Sequence, residues 1–352
     1  MQPVERYAGC LIGAAVGDSL LLPAEGLSRR RVARRWPGPL RHRLLFGRGL
    51  VSDDTEHHFL LARCLAAEPR DPAAFARRLA WRLRWWLLAL PPGCGKATAR
   101  GIIRLWLGWS PGRSGVHSGG NGPSMRAALL GVVHAEDEVL RRAYVLAATA
   151  LTHRHPHALA AAQAVAATAA WLVRGGVEDD LWPLLADPDP DWQRVLAGLR
   201  AWRQEGADCD ALAVALGCPG YVSGWSLHSV PFALGCWLRH RGDAVAGLGA
   251  ALRAGGDTDT VGAIAGALYG VEGGEAAFPA TWVRGIVDRP VSVAALRAAA
   301  ATLAGAPRAR WAWPLLPVRN AGFLLVALVH IARRWLPWPN ARPRAEGEVH
   351  VR

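Results

Sequence analysis

The chain has 352 residues, of which 51% are apolar and 20% charged, with a formal charge of +13. This composition excludes an intrinsically disordered chain and provides for a large buried core. Only Lys96 among the 41 basic residues is a lysine, which reads as the codon bias of a GC-rich genome rather than as a nucleic-acid signature. The excess is also uneven: residues 1–135 carry 20 basic and 8 acidic side chains (+12), whereas residues 136–352 carry 21 and 20 (+1).

Apolar residues recur at helical spacing along nearly the whole chain, as in Phe59–Leu65, Leu140–Leu151 and Phe323–Ile331, and alternating strand patterns are scarce. An all-α fold, a compact single-domain multi-helix bundle, is therefore expected. The spacing predicts helices over 5–22, 54–67, 72–90, 97–107, 123–133, 136–151, 157–174, 190–204, 226–240, 243–254, 260–270, 291–304 and 318–335. Gly, Pro and Asp mark the connections, notably 108–122 and 187–191. Length alone allows roughly two domains, but no linker divides the chain. One domain over 1–335 and a Pro/Arg-rich tail over 336–352 are expected. The six cysteines form no Cys-x-x-Cys pair and the N-terminus lacks a secretory pattern, so the expected setting is a reducing cytoplasm. The apolar run Ala321–Ala332 is too short to span a bilayer, and no transmembrane helix and no membrane partner are expected.

Two of these helices carry glycines at every fourth position: Gly9, Gly13 and Gly17 on the first, Gly262, Gly266 and Gly270 on the later one. Each stripe is a bare face that another backbone can approach, although a Gly- and Ala-rich genome also scatters small residues. Glycine weakens a helix interior by about 1 kcal/mol relative to alanine, so six such positions suggest a packing need.

Asp18 falls near the C-terminal end of the first helix, where an acid opposes the macrodipole and calls for a compensating donor or cation. Glu25 follows just beyond Pro23. Next comes the run Val51–His58, with Ser52, Asp53, Asp54 and Thr55 at a loop-to-helix junction. Asp53 with Glu56 three residues on suits a capping box. A cap accounts for one aspartate, whereas two adjacent aspartates flanked by hydroxyls also offer the oxygen ligands that Mg²⁺, Mn²⁺ or Ca²⁺ prefer. Ala254–Gly270 repeats the pattern: Asp257 and Asp259 alternate with Thr258 and Thr260 on a Gly-Gly loop opening the second glycine-striped helix. If the striped helices pack together, both clusters face one cavity suited to two cations about 3.5–4 Å apart.

The stretches "GCLIGAAVGDSLLLPAEG", "VSDDTEHH", "GGNGPSMRAALLGV", "ALTHRHPHALAAAQAVA" and "GGDTDTVGAIAGALYG" resemble, in order and spacing, the motifs of the ADP-ribosylglycohydrolase family, which includes the dinitrogenase-reductase activating glycohydrolase. The resemblance spans residues 5–270, with a weaker continuation to about 335. It implies a compact all-α fold, a binuclear Mg²⁺ or Mn²⁺ centre, and cleavage of the bond between ADP-ribose and an acceptor, commonly arginine or serine. By position it implies metal ligands at Ser52, Asp53, Asp54, Asp257, Asp259 and Thr260, with Asp54, Asp257 and Glu25 as the catalytic carboxylates. Glu25 would position or activate the attacking water, or gate the site. Ser118, Gly119, Gly120 and Asn121 would hold the diphosphate, and His153 would face the ligand. Ser52 stands where threonine is more usual, which keeps the oxygen ligand and loses a methyl.

Other signals are weaker. Pro91–Thr98 fails as a phosphate-binding P-loop, since Leu90 and Ala97 occupy its required Gly and Ser/Thr positions. His153, His155 and His157 lie close together without an acidic neighbour in sequence, so His155 and His157 read as loop or surface residues. Of His57 and His58, one is expected to face the cavity and the other to pack. Trp81, Trp85 and Trp86 alternate with arginines; a helix burying Trp81 and Trp85 is preferred to stacking on single-stranded nucleic acid.

The expectation is thus a metal-dependent hydrolase that removes ADP-ribose from protein side chains, arginine first. Serine-linked, small-molecule or nucleic-acid-linked ADP-ribose is the alternative acceptor class, and a homologue that binds ADP-ribose without turnover is the non-enzymatic one. Its partners would be ADP-ribosylated protein and ADP-ribose, with nucleic acid not expected and the chain a monomer. The basic N-terminal part would steer an anionic diphosphate toward the site.

Overall fold

The computed structural model describes residues 1–335; the expected tail at 336–352 lies outside them. Seventeen helices are found among the described residues. In chain order they are α1 (Pro3–Leu21), α2 (Arg29–Arg35), α3 (Asp53–Leu65), α4 (Pro72–Leu88), α5 (Lys96–Trp106), α6 (Ala128–Val133), α7 (Glu138–Ala150), α8 (Pro156–Arg174), α9 (Glu178–Leu184), α10 (Pro190–Glu205), α11 (Cys209–Ala215), α12 (Ser226–Arg239), α13 (Ala244–Ala254), α14 (Thr258–Gly273), α15 (Ala280–Gly285), α16 (Val293–Leu303) and α17 (Leu316–Trp335). The all-α expectation holds. The four helices it omitted, α2, α9, α11 and α15, have only six or seven residues each, two turns or less, too short for a 3.6-residue period to register. The helix expected over 123–133 divides into a 3₁₀ turn at Ser124–Arg126 and the short α6.

Helices α1 and α14 form the centre, antiparallel and in direct backbone contact. The two glycine stripes face each other turn by turn: Gly9 against Gly270, Gly13 against Gly266, Gly17 against Gly262. A Cβ on Gly13 would lie 2.2 Å from the Gly266 carbonyl oxygen, and one on Gly266 would lie 2.2 Å from that of Gly13. No side chain fits there, which is the packing need that offsets the poor helix propensity of six glycines. Around the pair, α3, α6, α8, α12, α13 and α16 complete an apolar core in which α8 contributes mainly alanines.

This arrangement brings the C-terminal end of α1 and the N-terminal end of α14 to the same pole, where Thr258 Oγ1 donates to the Leu21 carbonyl at 2.9 Å. Just past α1 the chain makes a 3₁₀ turn (Leu22–Ala24) and a two-residue strand, β1 (Leu27–Ser28), antiparallel to β2 (Gly255–Gly256). Gly256 has φ +86°, and a Cβ there would sit 1.9 Å from the Val222 carbonyl oxygen. Glycine is therefore required where three segments, 26–28, 222 and 255–257, are laced together ahead of Asp257.

Helix α17 corrects a sequence expectation. Among the described residues, three segments are long and apolar enough to cross a membrane, Pro3–Ala24, Pro156–Arg174 and Trp313–Arg333. The run read as too short is part of the third, because the helix starts before Ala321, its apolar spacing interrupted by Arg319 and Asn320. The first two segments are 89% and 72% buried inside the protein, the third only 17%.

Candidate functional site

Ser52 is the N-cap of α3, its hydroxyl accepting from Asp54 N at 3.2 Å, so the capping residue is Ser52 and not Asp53. The same hydroxyl donates to Asp54 Oδ2 at 3.1 Å, and Thr260 Oγ1 reaches that oxygen from the other cluster at 3.2 Å. Asp257 sits at the N-cap position of α14 without making a side-chain cap. Its Oδ2 accepts instead from Asn121 Nδ2 at 2.5 Å, and Asn121 is steadied by a 3.0 Å bond to Ser229 Oγ. Asp18 finds its compensating donors at the start of α3: its Oδ2 accepts from Ser52 N (2.8 Å), Thr55 N (3.3 Å) and Thr55 Oγ1 (2.5 Å). An acid misplaced at one helix C-terminus thereby becomes well placed at another's N-terminus.

Asp53, Asp54, Asp257, Asp259 and Thr260 line one cleft of about 940 Å³, together with Glu25, Ser118, Gly120, Asn121 and His153. Ser52 lies behind Asp54 rather than on the wall, and Gly119 turns away, a Cβ there being 2.6 Å from the Trp225 ring. Within the glycine loop, Gly120 N bonds Ser118 Oγ at 3.3 Å and Asn121 N bonds the Gly224 carbonyl at 3.0 Å, so both amides serve the loop's own shape. The cleft also contains residues the sequence reading passed over: Arg31, Lys96 and Thr98, and the segment Tyr221–Gly224. The motif that fails as a P-loop thus supplies the chain's single lysine to the cleft. Its Pro/Gly-rich loop composition was the available signal.

The electrostatics of the floor are unfavourable as it stands. Burial, and then the neighbouring acids, holds Asp53, Asp54 and Asp259 well above the usual carboxylate range. Burial also raises Asp257, against the hydrogen bond from Asn121, and raises Asp18 to about 7 against the bonds from Thr55 and Ser52. Asp18 Oδ1, Asp54 Oδ1 and Asp259 Oδ1 are buried without any hydrogen-bond partner. Carboxylate and hydroxyl oxygens gathered in this way, with orphaned buried acceptors among them, fit one or more hard divalent cations.

Behind the floor, Arg126 is fully buried. It donates to His57 Nδ1 at 2.6 Å, to the Ala148 carbonyl and to Thr152 Oγ1 at 3.1 Å each. Arginine only donates, so His57 accepts at Nδ1 and is neutral, as its burial and then the Arg126 charge also dictate. Thr152 Oγ1 also hydrogen-bonds His153 Nδ1 at 2.9 Å. The Nε2 edge of His153 lies beside the 120–122 loop, and burial pushes its pKa down to about 3, so the ring is neutral. Both His57 and His58 are fully buried and neither lines the cleft, contrary to the expected division between cavity and core.

Two further expectations are corrected. Trp81 and Trp85 are 55% and 44% exposed, whereas Trp86 is buried and donates to Glu56 Oε2 at 2.6 Å. The inward stripe of α4 runs through Phe75, Leu79, Leu83 and Trp86, and Trp81 and Trp85 fall outside it. His157 is buried, not a surface residue, with Nε2 at 3.4 Å from Asp189 Oδ1 and 3.2 Å from Asp191 Oδ2, partners that folding brings from the N-terminal end of α10.

Residues 1–312 match the profile of the ADP-ribosylglycohydrolase family. The chain belongs to that family. Among relatives of the chain, an uncharacterised protein of Archaeoglobus fulgidus is 31% identical over 291 residues, covering 81% of the chain and 92% of the relative. The ADP-ribosyl-[dinitrogen reductase] glycohydrolase of Rhodospirillum rubrum is 32% identical over 164 residues, 43% of the chain and 52% of that enzyme. A solved structure titled an ADP-ribosylglycohydrolase-related protein complex superimposes with TM-score 0.62 at 26% identity, covering 86% of the chain and 98% of its own. Hydrolase activity of the ADP-ribosylglycohydrolase type follows from this membership.

Proposed function

We propose that this hydrolase is metal-dependent and releases ADP-ribose from modified protein side chains, arginine first. The observation that carries the reading is the convergence of Ser52, Asp53, Asp54, Asp257, Asp259 and Thr260 at the floor of a cleft whose wall also holds Arg31, Lys96 and the 118–121 loop. Those six residues would hold two Mg²⁺ or Mn²⁺ ions, which when bound supply Lewis acidity next to the ribose and offset the mutual repulsion of the carboxylates.

The chain's own groups account for the rest. Lys96 and Arg31 offer positive charge to the diphosphate, and His153 offers a neutral imidazole beside the glycine loop. Tyr221, 57% exposed on the cleft wall, presents a ring face to the adenine. Asn121 fixes the Asp257 carboxylate by its 2.5 Å bond. Glu25, on the wall and held over the floor by the β1–β2 pairing, accepts the proton of the water that attacks the anomeric carbon. The buried carboxylates stabilise the positive charge that develops on the ribose ring as the bond to the acceptor breaks.

The test is release of free ADP-ribose from arginine- and serine-modified protein, with Mg²⁺ or Mn²⁺ and after chelation. The reading expects turnover only with metal and faster on arginine. No release from any acceptor would overturn the catalytic reading, and metal titration of wild type beside Asp257→Ala then separates a binding protein from one that holds no cation.

A further inference from the structure

Helix α17 begins after residue 312, where the family match ends. One of its faces is committed to the protein. Leu316, Asn320 and Phe323 are buried, Asn320 Nδ2 donates to the Ala89 carbonyl at 2.8 Å, and His330 Nε2 lies 2.9 Å from the Pro23 carbonyl. The opposite face is apolar and open to solvent: Val318, Leu324, Leu325, Leu328, Val329 and Ile331 are 43–72% exposed. A continuous apolar strip on a soluble surface marks a contact site.

The sequence flanking the strip carries charge of one sign. Between Asp288 and Glu346 the sequence has nine arginines and no acidic residue. Arg297 and Arg319 are spent on Glu275, and on Glu56 and Asp288. Arg289, Arg308, Arg310 and Arg333 are exposed. Trp313, 53% exposed, stands at the N-terminal end of the helix beside Trp85, their ring centroids 6.4 Å apart, and tryptophan favours the interface of a bilayer.

We propose that the outer face of α17 docks on an anionic membrane surface, the helix lying in the plane of the interface. Spanning is excluded by the inner face, because insertion would strip Arg319 from two buried carboxylates. A second copy of the chain is a poorer occupant: a two-fold contact sets the patch on itself and brings arginines together with no acid between them. Anionic headgroups match both the apolar strip and its basic border. The inference does not rest on the active-site reading.

The test is co-sedimentation of the full chain with vesicles of phosphatidylcholine alone or containing phosphatidylglycerol, with size-exclusion light scattering in parallel. The chain is expected to bind the anionic vesicles, less as NaCl is raised. Leu325→Glu/Leu328→Glu, at positions 65% and 55% exposed, should weaken binding by at least about tenfold without altering the melting temperature. Asp54→Asn should bind as the wild type does, which separates this result from the fate of the catalytic reading. Absence of binding, equal binding to neutral vesicles, or a dimer that the double substitution converts to monomer would each overturn the proposal.

Discussion

Gly266→Ala should destabilise the protein although alanine is the better helix former. The added methyl would lie 2.2 Å from the Gly13 carbonyl oxygen and 3.3 Å from the Gly17 Cα. A tolerable contact is about 1 Å longer, and the obstacle is main chain, which cannot rotate aside as a side chain would. Overpacking of this kind costs roughly 1–3 kcal/mol, and here about 3 is expected because the same stripe interlocks one turn above and below. The propensity gain of about 1 kcal/mol offsets part of it, leaving a net loss of about 2 kcal/mol. Gly198→Ala, in the middle of α10 with nothing within 4 Å of its would-be Cβ, makes the same chemical change without the obstacle. It should stabilise by about 0.5–1 kcal/mol. Urea unfolding of the two variants beside wild type measures the difference, about 3 kcal/mol in total. A Gly266→Ala protein as stable as wild type would show that the backbone contact between α1 and α14 is not as described.

Three other outcomes are expected. Asp54→Asn should lower turnover by at least roughly a hundredfold while stabilising the chelated protein by about 1–2 kcal/mol near pH 8, since it removes a buried charge repelled by its neighbours; parallel assays and melts check both halves. Arg319→Met should cost about 3–5 kcal/mol, because Glu56 and Asp288 are left buried and uncompensated, and a melt unchanged from wild type would contradict the ion-pair assignment. With metal chelated, stability should fall as pH rises above about 6.5: burial raises the floor carboxylates, Asp18 to about 7, so the folded state holds more protons than the unfolded one and loses that advantage as they leave. His57, His58 and His153, all lowered by burial, give a smaller opposing slope that dies out by about pH 7.5, where they are neutral in the unfolded state too. Unfolding free energies measured across pH, with and without Mg²⁺, should show the slope flatten when metal is present.

The features legible in the sequence are those in which a short run carries its own chemistry. The stripes of Gly9, Gly13 and Gly17 and of Gly262, Gly266 and Gly270 can be read because a four-residue period is one helix turn, and their partnership followed from their being two alike. Asp53–Asp54 and Asp257-x-Asp259 can be read because acids in a helix's first turn are acceptors close together in space. What stayed hidden depends on contacts between distant segments. Lys96, at the first residue of α5, and Tyr221, on a loop, reach the cleft through tertiary packing that no periodicity places. Trp81 and Trp85 were read as buried because a tryptophan pair at i, i+4 resembles a core stripe, and the competing stripe through Trp86 is fixed by Glu56, thirty residues earlier. The pairing of His157 with Asp189 and Asp191 likewise depends on where α10 begins.

At three successive turns of α1 and α14, each carbonyl of one helix rests in a gap left by the other's missing side chains. Helices meshed in this way cannot slip past one another by a fraction of a turn; the next register lies about 5.4 Å away. Asp18 and Ser52 stand on one side of that mesh, Asp259 and Thr260 on the other, so the spacing across the floor is set like the teeth of a gear. Side-chain rotation can make only small adjustments to it. On the proposed reading the tolerance for ion radius would be a property of the main chain, and adaptation to substrates of different bulk would fall to the outer segments at 93–98, 118–122 and 221–224.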